Sequence, residues 1–244
     1  MRKVIVTGCL GQLGSCLSQS LQDAGWMVIG LDIAHPATIK TSVLFEYHKV
    51  DVTDQEAVKI FYDDLVSKAL EINGLVNNVG TAVFTPFEDR SADEINSVTA
   101  TNINAPIYMS QGFLRVAAPN NQASIVNIAS IYGIVAPDQS LYSDTPRNSS
   151  EIYGMTKAAT ISFTQYLAVY LGKHNIRCNC VSPGGVLFKQ GPEFISNYSK
   201  KVPMNRMANQ EEIVAGIMYL LDVNQSSYVN GANLVIDGGF TAWR

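Results

Sequence analysis

Short apolar runs alternate with helix-length stretches from one end of this chain to the other. Lys3–Thr7, Met27–Asp32, Phe45–Val50, Gly74–Asn78, Ser124–Ala129, Ile176–Ser182 and Asn233–Asp237 read as strands. They are apolar without strict alternation, so both faces of the sheet are covered, as in parallel sheets flanked by helices. Gln12–Ala24, Asp54–Leu70, Asp93–Ala117, Glu151–Lys173 and Gln210–Asp222 read as the helices between them. In the second, Val58, Phe61, Tyr62, Leu65 and Leu70 recur at helical spacing and define one buried face. With right-handed crossovers, this order gives an α/β fold: one doubly wound, mostly parallel sheet in a single domain over residues 1–244.

Composition agrees. Of 244 residues, 47 % are apolar and 16 % charged, against about 25 % charged in an ordinary soluble protein. A chain of this kind buries a large core and is not disordered. The net charge is −4 and no Lys/Arg cluster occurs, which argues against nucleic acid or an anionic membrane as partner. No apolar run approaches the roughly 18 residues of a membrane span. The N-terminus passes from Arg2 and Lys3 straight into Val4-Ile5-Val6, without a signal-peptide core. Cys9, Cys16, Cys178 and Cys180 show no metal-ligand spacing. Strand alternation puts Cys178 and Cys180 on one face, where they read as small apolar side chains. These features suggest a reducing, cytoplasmic setting with no metal. His35, His48 and His174 fit no triad and read as surface residues.

The stretch after the first strand, Thr7-Gly8-Cys9-Leu10-Gly11-Gln12-Leu13-Gly14, opens into a helix. Gly8 lets the chain turn, Gly11 lets backbone N–H groups approach a pyrophosphate, and Gly14 allows the helix to pack closely on the strand. The helix N-terminus adds partial positive charge. Asp32 ends the second strand, 18 residues after Gly14, where a carboxylate can accept both adenosine ribose hydroxyls. It would repel a 2′-phosphate, and no Arg or Lys lies between it and Lys40, so NAD(H) is expected over NADP(H). A strand-end cap is the plainer alternative for Asp32. Asp51-Val52 could hold the adenine edge, and Asn77-Asn78-Val79-Gly80 closes the fourth strand, with Gly80 able to admit a ribose. The dinucleotide candidates are thus Gly8, Gly11, Gln12, Leu13, Gly14, Asp32, Ile33, Asp51, Val52, Asn78, Val79 and Gly80 in this Rossmann-like half.

Tyr153 and Lys157 stand at i and i+4 on one helix face, after a strand ending Asn127-Ile-Ala-Ser130. With the Thr-Gly…Gly start, Asn77-Asn78-Val79-Gly80, Asn102 in Thr-Asn-Ile-Asn-Ala, Pro183-Gly184 and the ending Asn230-Gly231…Asp237-Gly238-Gly239, the chain resembles the short-chain dehydrogenase/reductase family along essentially its whole length. That resemblance implies an NAD(P)-dependent oxidoreductase interconverting a secondary alcohol and a ketone. Tyr153 would be the general acid/base, its phenol lowered by Lys157 and the nicotinamide. Lys157 would also bond the nicotinamide ribose, Ser130 would hold the substrate oxygen, and Asn102 would position a water next to Lys157. Pro183, Gly184 and Val186 would border the nicotinamide. Ser130 could instead cap a strand end, and Asn102 could bond backbone.

Two features depart from the compact members. The Gly-x-x-Gly-x-x-Gly spacing resembles longer, sugar-nucleotide-modifying members. Ser130 also lies 23 residues before Tyr153, a longer gap than usual, which marks an inserted loop. Ser140 sits at a more usual distance; Ser130 is preferred because a strand end fixes it. Loops 136–150 and 183–199 follow strands and read as substrate-site loops. The first is polar, with Tyr142 and Arg147, and together with Ser130 and Tyr132 it suits a hydroxyl-rich substrate. Residues 130–142 also resemble oxidoreductases of flagellin and surface-glycan sugar pathways. A 3-oxoacyl-thioester reductase is the alternative, and a non-catalytic NAD-sensing regulator a further one. The family resemblance implies a homotetramer or homodimer.

Overall fold

The computed structural model describes residues 1–34, 42–119, 123–142 and 147–243. Its strands are β1 (Lys3–Thr7), β2 (Met27–Asp32), β3 (Phe45–Lys49), β4 (Gly74–Asn77), β5 (Ala123–Ile128), β6 (Ile176–Pro183) and β7 (Asn233–Ile236). The helices are α1 (Gln12–Asp23), α2 (Gln55–Ser67), α3 (Ala92–Thr99), α4 (Ala105–Phe113), α5 (Glu151–Gly172), α6 (Pro192–Ser199), α7 (Gln210–Leu221) and the short α8 (Val223–Ser226). The strands form one sheet in the order β3-β2-β1-β4-β5-β6-β7, and every pairing is parallel. This is a single Rossmann-like α/β domain. The order reverses between β1 and β4, so their carboxyl ends frame the crevice where such sheets take ligands.

Each face of the sheet carries its own core. On one side, Phe61, Tyr62 and Leu65 of α2, Met109 and Phe113 of α4, and Leu167 and Leu171 of α5 pack over Ile5, Leu75 and Ile125. On the other, Leu17 and Leu21 of α1 meet Ile213, Ile217 and Leu220 of α7 over Val4, Val28 and Val126. All six residues of β5 are buried, which explains the apolar run without alternation. Some of the polar residues that enter this interior pair with one another. Asn127 accepts from Asn77 (2.8 Å) and donates to Thr164 (2.9 Å).

Helix starts follow side-chain caps. Asp54 accepts from the Glu56 and Ala57 N–H groups, Ser91 and Glu94 form a reciprocal capping box, and Ser150 accepts from the Tyr153 N–H at the start of α5. The stretch expected as one helix over 93–117 widens into a π-helical turn at Ala100–Asn104, between α3 and α4. α6 lies inside the stretch expected as loop. Its start is nevertheless written in Gly191-Pro192-Glu193, an N-cap glycine with proline at the first turn. His48 is a correction to the surface reading: it is half-buried, edge-on to Phe61 at 5.3 Å between ring centres. His174 is exposed. His35, Lys40 and residues 143–146 of the inserted loop lie outside the described residues. Among the described residues no helix is long and apolar enough to cross a membrane, and the four cysteines carry free thiols, with burial pushing those of Cys9 and Cys180 up to about 12 and 11.

Candidate active site

A cleft of about 1040 Å³ runs along the carboxyl ends of the strands. At one end the glycine-rich turn is held in shape from beneath. Gly8 sits in the left-handed region at φ 64°, which side chains adopt only at a cost. A Cβ on Gly14 would lie 2.0 Å from the Gly8 carbonyl oxygen, so only glycine lets α1 begin here. Asn78 donates to the Thr7 and Gly8 carbonyls at 2.9 and 3.1 Å. The Thr7 hydroxyl in turn accepts from the Asn78 and Val79 N–H groups. No acidic residue occupies the first turn of α1, so no side chain of that turn neutralises the positive end of the helix dipole.

Gly8, Gly11, Gln12, Leu13, Asp32, Ile33, Asn78, Val79, Gly80, Pro183, Gly184 and Val186 all line this cleft. Gly14 lies behind the turn. Asp32 also does structural work: its two oxygens accept from the Leu10 and Ala34 N–H groups at 3.0 and 3.1 Å. It thus caps the strand end while facing the cleft, so the two roles weighed for it are not exclusive. Asp51 and Val52, expected at the adenine edge, lie outside the cleft lining. Asp51 is exposed and bonds the Thr53 N–H and hydroxyl at 2.9 and 2.7 Å in the turn before α2. Val52 points into the core at 4 % exposure.

At the other end, β5 delivers Ser130 and α5 delivers Tyr153 and Lys157. The Ser130 hydroxyl accepts from the Tyr132 N–H at 3.1 Å and is hydrogen-bonded to the Tyr153 phenol. Burial pushes that phenol above its ordinary value, and the Ser130 bond opposes the shift. Lys157 is buried and donates to the Ile128 carbonyl at 2.7 Å. Desolvation lowers its ammonium to about 8. Its Nζ stands 5.6 Å from the centre of the Tyr153 ring. Ser140 is exposed and donates to Asp138 at 2.6 Å, outside the cleft lining. Of the two serines, Ser130 therefore lines the cleft with Tyr153 and Ser140 does not.

Asn102 lies in the π-helical turn, buried beneath the cleft wall. Its Oδ1 accepts from the Thr81 N–H, and its Nδ2 donates to the Thr81 carbonyl and the Thr156 hydroxyl, at 2.9, 2.9 and 3.0 Å. Its amide thus bonds backbone, the plainer of the two expectations. Lys157 Nζ and Asn102 Oδ1 nonetheless meet at Gly80, 3.3 and 3.6 Å from where a Cβ would stand. Tyr132, Tyr142 and Arg147 line the substrate end of the cleft, and the Arg147 guanidinium lies 3.8 Å over the Phe84 ring. Phe84, Ser149, Gln190 and Phe194 line it too. Sequence reasoning did not single these out, because they lie on segments without periodicity; only the α6 start signal could have pointed to Phe194.

A family model described as enoyl-(acyl carrier protein) reductase matches residues 11–241. The chain belongs to the short-chain dehydrogenase/reductase family. It is therefore an oxidoreductase of the type that acts on CH–OH groups. It is similar to an NADH-dependent L-xylulose reductase of Ambrosiozyma monospora, 30 % identical over 98 % of this chain and 94 % of that one. A ribulose-forming D-arabinitol 2-dehydrogenase of Candida albicans is 34 % identical over 79 % and 69 %. The post-translational flagellin modification protein A of Campylobacter coli is 28 % identical over 97 % of both chains. Among solved structures, a short-chain dehydrogenase of Leptospira borgpetersenii with bound NAD+ superposes with a TM-score of 0.92. It is 40 % identical, over 98 % of this chain and 92 % of that one.

Proposed function

We propose that this chain is an NAD-dependent dehydrogenase/reductase interconverting a secondary alcohol and a ketone on a small polyol or sugar-like substrate. The observation that carries the reading is the meeting of Ser130, Tyr153 and Lys157 at one end of a cleft whose other end holds a glycine turn and Asp32. The cradle fits a dinucleotide: Gly8 and Gly14 occupy positions a side chain would fill, and Asp32 presents a carboxylate where a ribose would lie. Gly11, Gln12, Leu13, Asn78, Val79 and Gly80 would flank the cofactor, with Pro183, Gly184 and Val186 on the nicotinamide side. When bound, the nicotinamide accepts or supplies the hydride.

The chain's own groups handle the proton. Ser130 and Tyr153 converge on the substrate oxygen, and Tyr153 takes its proton as the carbonyl forms or returns it in reduction. Lys157, held by Ile128, places a cation beside the phenol and within reach of the nicotinamide ribose. Asn102 fixes the wall at Thr81 and, with Lys157, borders the space at Gly80 that would hold a relay water. The polyol reading draws support from the xylulose and arabinitol relatives and from the hydroxyl-bearing substrate end. A narrower role in surface-glycan or flagellin sugar synthesis draws support from the flagellin-modification relative alone.

Absorbance at the reduced-nicotinamide band with NAD+ or NADP+ against polyols, sugars, sugar phosphates and acyl thioesters tests the reading. NAD+-dependent turnover of a polyol or sugar, lost by roughly 10²- to 10⁴-fold in Tyr153→Phe, is the expected result. Faster turnover of acyl thioesters with NADPH would replace it with the acyl-reductase alternative. The proposed assembly is a homotetramer or homodimer through the outer face of α5, where Met155, Tyr166 and Val169 are 64 %, 61 % and 84 % exposed. The proposed setting is the cytoplasm, in keeping with the free thiols.

A further inference from the structure

The inserted loop brings a second phenol to the cleft that holds Ser130 and Tyr153. Tyr142 lines the cleft, and its ring packs against Phe194 of α6 at 5.5 Å between centres. Its side chain packs on the same apolar cluster as that of Tyr132, the residue whose N–H holds the Ser130 hydroxyl. Both phenols lie close enough to Tyr153 to interact with it electrostatically. The loop does not depend on this pair for its anchoring. Gln139 clamps the Ser149 backbone from both sides, at 2.8 and 3.1 Å, and Asp138 pairs with Lys201 at 2.8 Å. Hydroxyls drawn into an aromatic wall cost free energy unless bonded. A pair of them placed beside the Ser130–Tyr153 couple suits a second substrate oxygen next to the first.

We propose that Tyr142, backed by Tyr132, is a specificity-determining residue that binds the hydroxyl on the carbon adjacent to the reacting one. The substrate is then a vicinal diol and the product an α-hydroxy ketone. Hydride leaves the reacting carbon for NAD+, the proton leaves its oxygen for Tyr153, and the neighbouring hydroxyl stays intact. This rests on the oxidoreductase reading above and narrows its substrate class.

The test uses matched pairs that differ only in the neighbouring hydroxyl, such as butane-2,3-diol with butan-2-ol and D-arabinitol with its deoxy analogue. Binding to the NADH-loaded protein is read by nicotinamide fluorescence, and turnover with NAD+ by absorbance. The diol member should bind and react at least about tenfold better, the order of one to two hydrogen bonds. Tyr142→Phe and, more weakly, Tyr132→Phe should bring that ratio towards unity, chiefly through KM. A role confined to packing would change both members of each pair alike and leave the ratio in place, which overturns the proposal. So would equal binding of diol and deoxy compound by the wild type. Absence of turnover for every polyol, with diol-selective binding still lost in Tyr142→Phe, would instead fail the oxidoreductase reading and keep the subsite.

Discussion

Gly133→Ala isolates the packing that holds Ser130 against Tyr153. Gly133 ends the short 3-10 turn that Ser130 caps, and this turn lies directly on α5. A Cβ at Gly133 would stand 2.7 Å from the Lys157 carbonyl carbon and 2.8 Å from the Ala158 nitrogen. Both are backbone atoms of a long helix and cannot swing aside. Restoring ordinary contact at 3.4 Å requires the turn and helix to separate by about 0.7 Å. Elsewhere glycine-to-alanine stabilises by roughly 0.4–1 kcal/mol through the unfolded chain. Here overpacking, at about 1–3 kcal/mol, outweighs that gain. For a chain of this size the loss lowers Tm by roughly 2–10 °C. Catalysis suffers more, because a displacement near 1 Å can cost about 10²-fold when reacting groups are prearranged. The expected variant still binds NAD+ by fluorescence titration, through the glycine turn and Asp32, but loses roughly 10- to 100-fold in kcat with polyol substrate. If kcat stayed within twofold while Tm fell, the contact at Gly133 would be structural only, and the reasoning would be refuted.

Asp32→Ser should raise KM for NAD+ by roughly 10- to 100-fold, the worth of charged hydrogen bonds, and shift the NAD+/NADP+ ratio of kcat/KM towards NADP+; an unchanged ratio would remove Asp32 from cofactor choice. Lys157 has a folded-state value depressed to about 8 by burial, against an unfolded value of 10.5. Between those values the unfolded chain binds the extra proton, so this group's contribution to stability rises with pH. Relative to Lys157→Met, the wild type should therefore gain about 2–3 kcal/mol in denaturant titrations between pH 7 and pH 10.5, and a constant difference would contradict the burial of the ammonium. Val169→Glu puts a charge on the exposed α5 face and should yield monomers by sedimentation at micromolar concentration; an unaltered mass would place the assembly interface elsewhere.

The sequence alone was enough for whatever depends on local pattern. Strand runs such as Met27–Asp32 and helix starts such as Gln12 after Gly11 coincide with the structure, because continuous apolar character, caps and glycine turns act within a few residues. Gly8, Gly14 and the i, i+4 placement of Tyr153 and Lys157 are equally local. Tertiary structure decided what depends on meetings between distant segments. It brought Ser130, already preferred for its strand-end position, next to Tyr153 in the cleft, and left Ser140 exposed on Asp138. It engaged one oxygen of the exposed Asp51 carboxylate in the turn before α2 and put the Val52 side chain in the core. It widened the helix expected over 93–117 into a π-helical turn around Asn102, whose amide serves Thr81, 21 residues earlier. It also set Tyr142 beside Tyr132 and Phe194. Such contacts leave no periodicity in the chain, because their partners are chosen by the sheet order and by which loops share its carboxyl edge.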